Sequence, residues 1–239
     1  MLLRTLLVAA AFSALGAAPA SAALPPLQGL KPCYVAAQED QREWVPVTGS
    51  GFTPFAFVDI YVDDTLQPKS DPEAQADFEG NLKGSVFAPF VEEGQRQFTL
   101  RVTERDNPNN TVSAISKVTR LSVEQSPAKA STNKRVTFRA RGFTNYKVLP
   151  TGQFVRPAVY AHYVFAGKSR KTVRLGVPTG DCGLISSKRK QFPFKKSPQV
   201  GVWTIQFDQE AVYNPKAAIR VPLTVRVKRA IKPERAQAR

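Results

Sequence analysis

The stretch VTGSGFTPFAFVDIYVD, residues 47–63, decides the fold because parts of it recur later in the chain. Gly51-Phe52-Thr53 returns 91 positions later as Gly142-Phe143-Thr144. Residues 98–102 (FTLRV) are echoed by residues 203–207 (WTIQF), at an offset of 105. The offset grows by 14, so the second copy carries an insertion of about that length. Repetition over this length predicts two copies of one supersecondary unit.

Alternating side chains within this stretch predict a half-buried strand. Val58, Ile60 and Val62 fall on one side of residues 55–62, whereas Asp59 and Tyr61 fall on the other. Similar short apolar runs continue along the chain, separated by 19 prolines and 14 glycines, and no long segment has a helical apolar period. The pattern predicts an all-β protein of two tandem immunoglobulin-like β-sandwiches.

The first 22 residues have the features of a cleaved secretory signal peptide. Arg4 supplies the charged start, a short apolar run follows, and Ala20 and Ala22 are small residues of the kind that signal peptidase recognises. A membrane anchor is the alternative, but the apolar run is shorter than the roughly 20 residues that span a bilayer. We therefore expect a secreted, extracellular protein, or one associated with the cell envelope, without a transmembrane segment.

Charge divides the rest of the chain into an acidic half and a basic half. Residues 23–123 hold nine Lys and Arg against fourteen Asp and Glu, a net charge of −5. Residues 124–239 hold 24 Lys and Arg against five Asp and Glu, a net charge of +19. We predict an acidic first domain over 23–123, a basic second domain over 124–228, and a basic disordered tail over 229–239.

Three strings in the acidic half carry a resemblance. They are GSGFTPFAFVDIYVDD (49–64), ADFEGNLKGSVFAP (76–89) and FTLRVTERDNPNNTVSA (98–114). Together they resemble the bacterial immunoglobulin-like repeats of exported and cell-surface proteins. The pair of units also resembles uncharacterised two-domain exported proteins with CYV near the start and VYAHYV and CGL in the second half. The resemblance implies β-sandwiches with a non-enzymatic surface role.

The two cysteines, Cys33 and Cys182, fall one in each half of the chain. An even number of cysteines in an exported protein favours a disulfide, which here would join one unit to the other. Two separate thiols are the alternative, because units strung end to end would place a cysteine of the first strand far from the second unit.

Cys182 and His162 are the candidates for a thiol-dependent enzyme. A thiolate beside a histidine base is the arrangement that such chemistry requires. His162 is the only histidine in the chain and lies between two tyrosines in a predicted strand. No motif of a cysteine transpeptidase surrounds either residue, so we predict a protein that is not an enzyme, with no catalytic residue.

A group of carboxylates in the first half could be imagined as a calcium site. They are Asp59, Asp63, Asp64, Asp71, Glu73, Asp77 and Glu79. The chain lacks the D-x-D-x-D-G loop that such sites use, so we predict a solvated acidic face, with no metal and no cofactor.

Basic residues of the second half are the strongest functional signal. The candidates for binding are Lys168, Arg170, Lys171, Arg174, Lys188, Arg189, Lys190, Lys195 and Lys196. They favour electrostatic association with an anionic cell-envelope component or an acidic protein surface. The motifs of a dedicated nucleic-acid module are missing, so no specific nucleic acid is expected. The alternatives are the thiol-dependent enzyme, a purely structural spacer, and a generic solvated basic surface.

Overall fold

The computed structural model describes residues 23–68, 74–144, 147–148 and 154–229, and within them it is all-β, without helices. The predicted signal peptide and all of the predicted tail except Arg229 lie outside these residues. The strands that precede Leu121 are β1 (Tyr34–Gln38), β2 (Gln41–Arg42), β3 (Trp44–Gly49), β4 (Val58–Val62), β5 (Thr65–Leu66), β6 (Leu82–Phe87), β7 (Gln95–Glu104) and β8 (Thr111–Arg120).

The strands that follow Leu121 are β9 (Ser122–Ser126), β10 (Arg135–Arg141), β11 (Lys147–Val148), β12 (Phe154–Val155), β13 (Val159–Phe165), β14 (Lys168–Gly176), β15 (Ile185–Lys190), β16 (Gly201–Asp208) and β17 (Arg220–Val227). We call the residues up to 120 the first unit and those from 122 the second unit. The short hairpin of β11 and β12 lies in the insertion at 145–157, where the sequence predicts only an added loop.

The first unit is a sandwich of a large and a small sheet. Six strands form the sheet β2-β1-β8-β7-β4-β5, and β3 pairs with β6 in the other. Val45 and Val47 of β3 pack against Phe98 and Leu100 of β7 in one buried cluster, because alternate side chains of each strand face inward.

The second unit repeats this plan. Four strands form the sheet β14-β13-β16-β17, opposite the sheet β15-β10-β9. Its cluster of buried side chains includes Phe138 and Phe143 beside Tyr163 and Phe207. The domain boundary predicted at residues 123 and 124 stays a prediction, although the chain passes between the two sandwiches at Leu121, two residues earlier.

The same glycine turn precedes the matching strands β6 and β15. Gly80 and Gly183 have φ of 77° and 60°. A Cβ atom on either would lie 2.3 Å from a backbone oxygen, that of Phe52 or that of Phe143, in the two GFT segments. Only glycine tolerates this combination of backbone angle and close approach. The duplication seen in the sequence is therefore also present in the turn geometry.

Candidate functional site

The nine basic candidates lie along one edge of the second unit, with Arg174 on the outer face of one sheet and Lys188 and Lys190 on the outer face of the other. Four belong to β14 and three to β15, and the remaining two, Lys195 and Lys196, follow β15 in the chain. Strands β14 and β15 are edge strands of the two facing sheets. A hydrogen bond of 3.1 Å from Arg189 Nη1 to the Arg174 carbonyl joins them. The fold therefore brings together residues that are up to 28 positions apart in sequence, and we call these nine residues the basic edge.

Two members of the basic edge have structural contacts. Arg189 also donates to Ser187 Oγ, at 2.9 Å from Nε and 2.7 Å from Nη2. Lys171 donates through Nζ to the Pro193 carbonyl and lies 6.0 Å from the centre of the Phe194 ring. These two side chains close the gap between the sheets, and they are less available to a ligand than their neighbours.

The other seven members are exposed and point to solvent. Within the part of the chain that the structure describes, none of the seven side chains forms a hydrogen bond or an ion pair. Asp181 is the only acidic residue between positions 145 and 207, and its carboxylate is 2.7 Å from Lys117 Nζ of the first unit. None of the seven exposed cations is paired with a carboxylate among the described residues.

A shallow groove lies at one end of the basic edge. It has a volume of about 260 Å³, and Arg170, Lys195 and Lys196 line it beside Phe194 and Trp203. Trp203 is held by a 2.9 Å hydrogen bond from Nε1 to the Gln199 carbonyl, and its ring centre is 5.4 Å from that of Phe194. The groove combines cations with an aromatic floor, which suits an anion carried on a sugar or another partly apolar group.

Tyr163 lies beneath this aromatic floor and is completely buried. Its ring contacts those of Phe192 and Phe194. Burial raises the pKa of the Tyr163 hydroxyl well above its usual range, and the positive charge of Arg189 opposes this only in part. The hydroxyl therefore stays neutral and adds no negative charge beneath the groove.

A disulfide joins Cys33 to Cys182, with 5.2 Å between their Cα atoms. The disulfide candidate is confirmed and the alternative of two separate thiols is wrong, and the path of the chain explains why. Residues before Cys33 pair with β3 at Gln28, and β1 then crosses to the other sheet and runs parallel to β8, toward the start of the second unit. The bridge and the adjacent Lys117–Asp181 pair hold the two units together.

The pairing of Cys182 with His162 as nucleophile and base is wrong. Both cysteines are in the disulfide, so no free thiol exists for the chemistry. Cys182 lies in the turn before β15, whereas the His162 side chain lies on the outer face of the other sheet. His162 is nevertheless fully buried, because residues 209–214 cover it.

His162 belongs instead to a buried hydrogen-bond network that the sequence did not reveal. Its Nδ1 is 2.8 Å from Thr172 Oγ1, and its Nε2 is 3.1 Å from Asp208 Oδ1. The other oxygen of Asp208 accepts from Gln206 at 2.7 Å. The Glu210 backbone N–H also donates to Asp208, at 2.8 Å. The network fixes the segment after β16 against the sheet.

Three members of the predicted acidic group lie in β4 and in the turn after it. Arginines of β7 and of the residue after it reach all three: Arg105 lies 3.1 Å from Asp59, Arg96 lies 2.6 Å from Asp63, and Arg101 lies 3.3 Å from Asp64.

Two further members of the predicted acidic group, Asp77 and Glu79, lie in the turn at Gly80. Asp77 accepts hydrogen bonds from the backbone of Asn81 and of Glu79, at 2.8 and 2.9 Å, which lower the pKa of its carboxyl. Asp71 and Glu73 lie outside the described residues. Within the described residues, no group of three or more His, Cys, Asp or Glu is placed to hold a metal ion.

Comparison of the chain with protein-family models, with curated proteins and with solved structures gave no match. The resemblance to bacterial immunoglobulin-like repeats therefore stays an expectation based on the motifs. Among the described residues, no helix has the length and apolar character needed to cross a bilayer.

Proposed function

We propose that this protein is a non-enzymatic binding module of the extracellular space or cell envelope, whose second unit associates with anionic surface polymers. The observation that carries the proposal is the basic edge, where seven exposed cations have no carboxylate partner among the described residues. A fold that keeps like charges together on two edge strands gains no stability from them, because neighbouring like charges repel. Their clustering is therefore explained better by a ligand than by folding.

A polymer with repeated negative charges fits the shape of the basic edge. The cations lie on both strands of the edge and continue into the groove beside Phe194, so a flexible polymer that follows this edge would meet several of them. Such attraction acts over about 10 Å in 0.1 M salt and weakens as salt is added. It raises the rate of encounter more than it selects one polymer over another.

The first test is retention of residues 23–239, with the disulfide intact, on beads that carry polyphosphate. The matched variants are Lys188→Glu/Lys190→Glu on the basic edge and Lys83→Glu/Lys216→Glu away from it. Each variant replaces two exposed lysines with glutamate, so both variants have the same change in net charge. One contact between unit charges at 4 Å in water contributes about 1 kcal/mol, so losing two weakens binding at least about thirtyfold at low salt.

The expected result is that the basic-edge variant elutes early and the control elutes close to the wild type. Equal retention of the two variants would show that net charge alone is responsible, and the proposal would fail. Absence of wild-type retention at low salt would favour a structural spacer, for which the disulfide and the Lys117–Asp181 pair provide a rigid connection.

A further inference from the structure

The contact between the two units uses a turn that the repeat duplicates. Asp181 and Cys182 immediately precede Gly183, and they bond to Lys117 and Cys33 of the first unit. Phe78 and Glu79 hold the same two positions before Gly80. In the first unit, however, this turn lies at the surface.

The surface around the first turn is apolar and acidic. The Phe78 side chain is 70% exposed, and that of Phe55, whose backbone N–H donates to the Asp77 carbonyl, is 62% exposed. Asp77 and Glu79 flank Phe78 in the sequence. We call these four residues the acidic tip. Two exposed phenylalanines at one place are unusual on a surface that binds nothing.

The far end of the second unit carries the complementary features. In the first unit, Gln97 pairs with Lys117, the residue that bonds Asp181. The repeat places Val202 and Arg226, which also pair, at the equivalent positions of the second unit. Val202 is 51% exposed and the nearby Val200 is 53% exposed. We call Val200, Val202 and Arg226 the basic end.

We propose that copies of this chain associate head to tail, with the acidic tip of one copy on the basic end of the next. The contact between copies would repeat the contact between the two units. Exposed phenylalanines would cover exposed valines, and the carboxylates of Asp77 and Glu79, on either side of the position equivalent to Asp181, would lie near Arg226, the equivalent of Lys117. A second copy is the occupant that fits, because both complementary surfaces occur on every chain.

Such a contact joins two different surfaces, so it builds open rows of copies and does not close as a symmetric dimer. A row displays one basic edge per copy, and the repeated display would strengthen attachment to a long polymer. The association itself does not require the polymer, so it is tested without one.

The test is sedimentation velocity of residues 23–239 over a series of protein concentrations, at low salt and near 1 M salt, where screening reduces the range of charge attraction to about 3 Å. The wild type is expected to form species larger than a dimer as concentration rises, and salt is expected to shift them toward monomer. Phe78→Asp and Val202→Asp are each expected to weaken association about tenfold or more, because each places a charge in an apolar contact. Ile115→Asp is the matched control, since Ile115 is 68% exposed in the middle of β8.

Mixing the two variants makes the test specific. The Phe78→Asp chain keeps an intact basic end, and the Val202→Asp chain keeps an intact acidic tip. The mixture is therefore expected to form a one-to-one complex that grows no further. A wild type that stays monomeric at every concentration would overturn the proposal. So would a Val202→Asp variant that associates like the wild type, which would indicate a symmetric contact between two acidic tips. Thermal unfolding of each variant checks that its fold is intact.

Discussion

Replacing Gly183 with alanine should destabilise the second unit strongly, and the structure allows the effect to be estimated. The new Cβ would lie 2.3 Å from the Phe143 carbonyl oxygen, and the residue has φ of 60°. The left-handed backbone alone costs about 1–2 kcal/mol for a residue other than glycine. The clash forces the turn or the GFT segment to move, so we expect a total loss of about 3 kcal/mol.

The first unit provides a replicate, and a third glycine provides a control. Gly80→Ala meets the Phe52 carbonyl oxygen at the same 2.3 Å. Gly167 has φ of 73°, with nothing within 4 Å of the added atom, so Gly167→Ala should lose only the backbone term of about 1 kcal/mol. The assay is thermal unfolding by calorimetry, in which a loss of 3 kcal/mol corresponds to about 10 °C or more for a unit of this size.

We expect Gly80→Ala and Gly183→Ala to lower two different unfolding transitions, one for each buried cluster. The reasoning would be refuted if either variant were no less stable than Gly167→Ala. A single transition lowered equally by both would show that the two clusters unfold as one.

Three further outcomes follow from the junction and the buried network. Cys33→Ser/Cys182→Ser should leave both unfolding transitions nearly unchanged, because the bridge joins two units that each have their own buried cluster. The same variant should increase the radius of gyration measured by X-ray scattering. A loss of about 5 kcal/mol in unfolding free energy, the value for a disulfide that closes a loop of 149 residues within one cooperative unit, would contradict this. The hydrogen bond from Lys117 lowers the pKa of the Asp181 carboxyl. The stabilisation that this ion pair gives to the contact between the units is therefore fully present above the ordinary pKa of 3.8, and it is lost as pH falls through the lower pKa of the folded protein. Asp181→Asn should therefore reduce the acid-induced expansion of the Cys33→Ser/Cys182→Ser protein, and equal expansion with and without Asp181 would count against the pair. His162→Ala leaves the buried Asp208 without a main partner and should lose about 3 kcal/mol by thermal unfolding, whereas a change below about 1 kcal/mol would mean that water replaces the ring.

The strands were the part of the structure most predictable from the sequence, because the alternation of apolar and polar residues that indicates a strand is a local pattern. The strand predicted around His162 is present as β13, and Val58, Ile60 and Val62 of the strand predicted over residues 55–62 lie in β4. Phe55 is a position where prediction of a strand from apolar residues fails. It has φ of 61° and lies in a turn, so the strand predicted from residue 55 begins at Val58. A run of apolar residues does not reveal a left-handed backbone without a glycine.

Contacts between distant segments were less predictable. The nine basic residues were chosen from composition, but their common edge depends on β14 and β15 being edge strands of facing sheets, which no local pattern encodes. The even number of cysteines favoured a disulfide, but nothing in the sequence indicates that the chain changes sheets between Gln28 and β1, so two separate thiols stayed an alternative. The partners of His162 were missed for the same reason, since Thr172 and Asp208 lie on the strands at either side of it.

The most direct test of the proposed function is the salt dependence of binding to soluble polyphosphate, measured by titration calorimetry. The logarithm of the association constant should fall linearly with the logarithm of the salt concentration, and each lysine contact adds about one to the slope. Lys188→Glu/Lys190→Glu should lower the slope by about two, whereas Lys83→Glu/Lys216→Glu should leave it nearly unchanged. Equal slopes for the wild type and both variants would contradict a binding role for the basic edge.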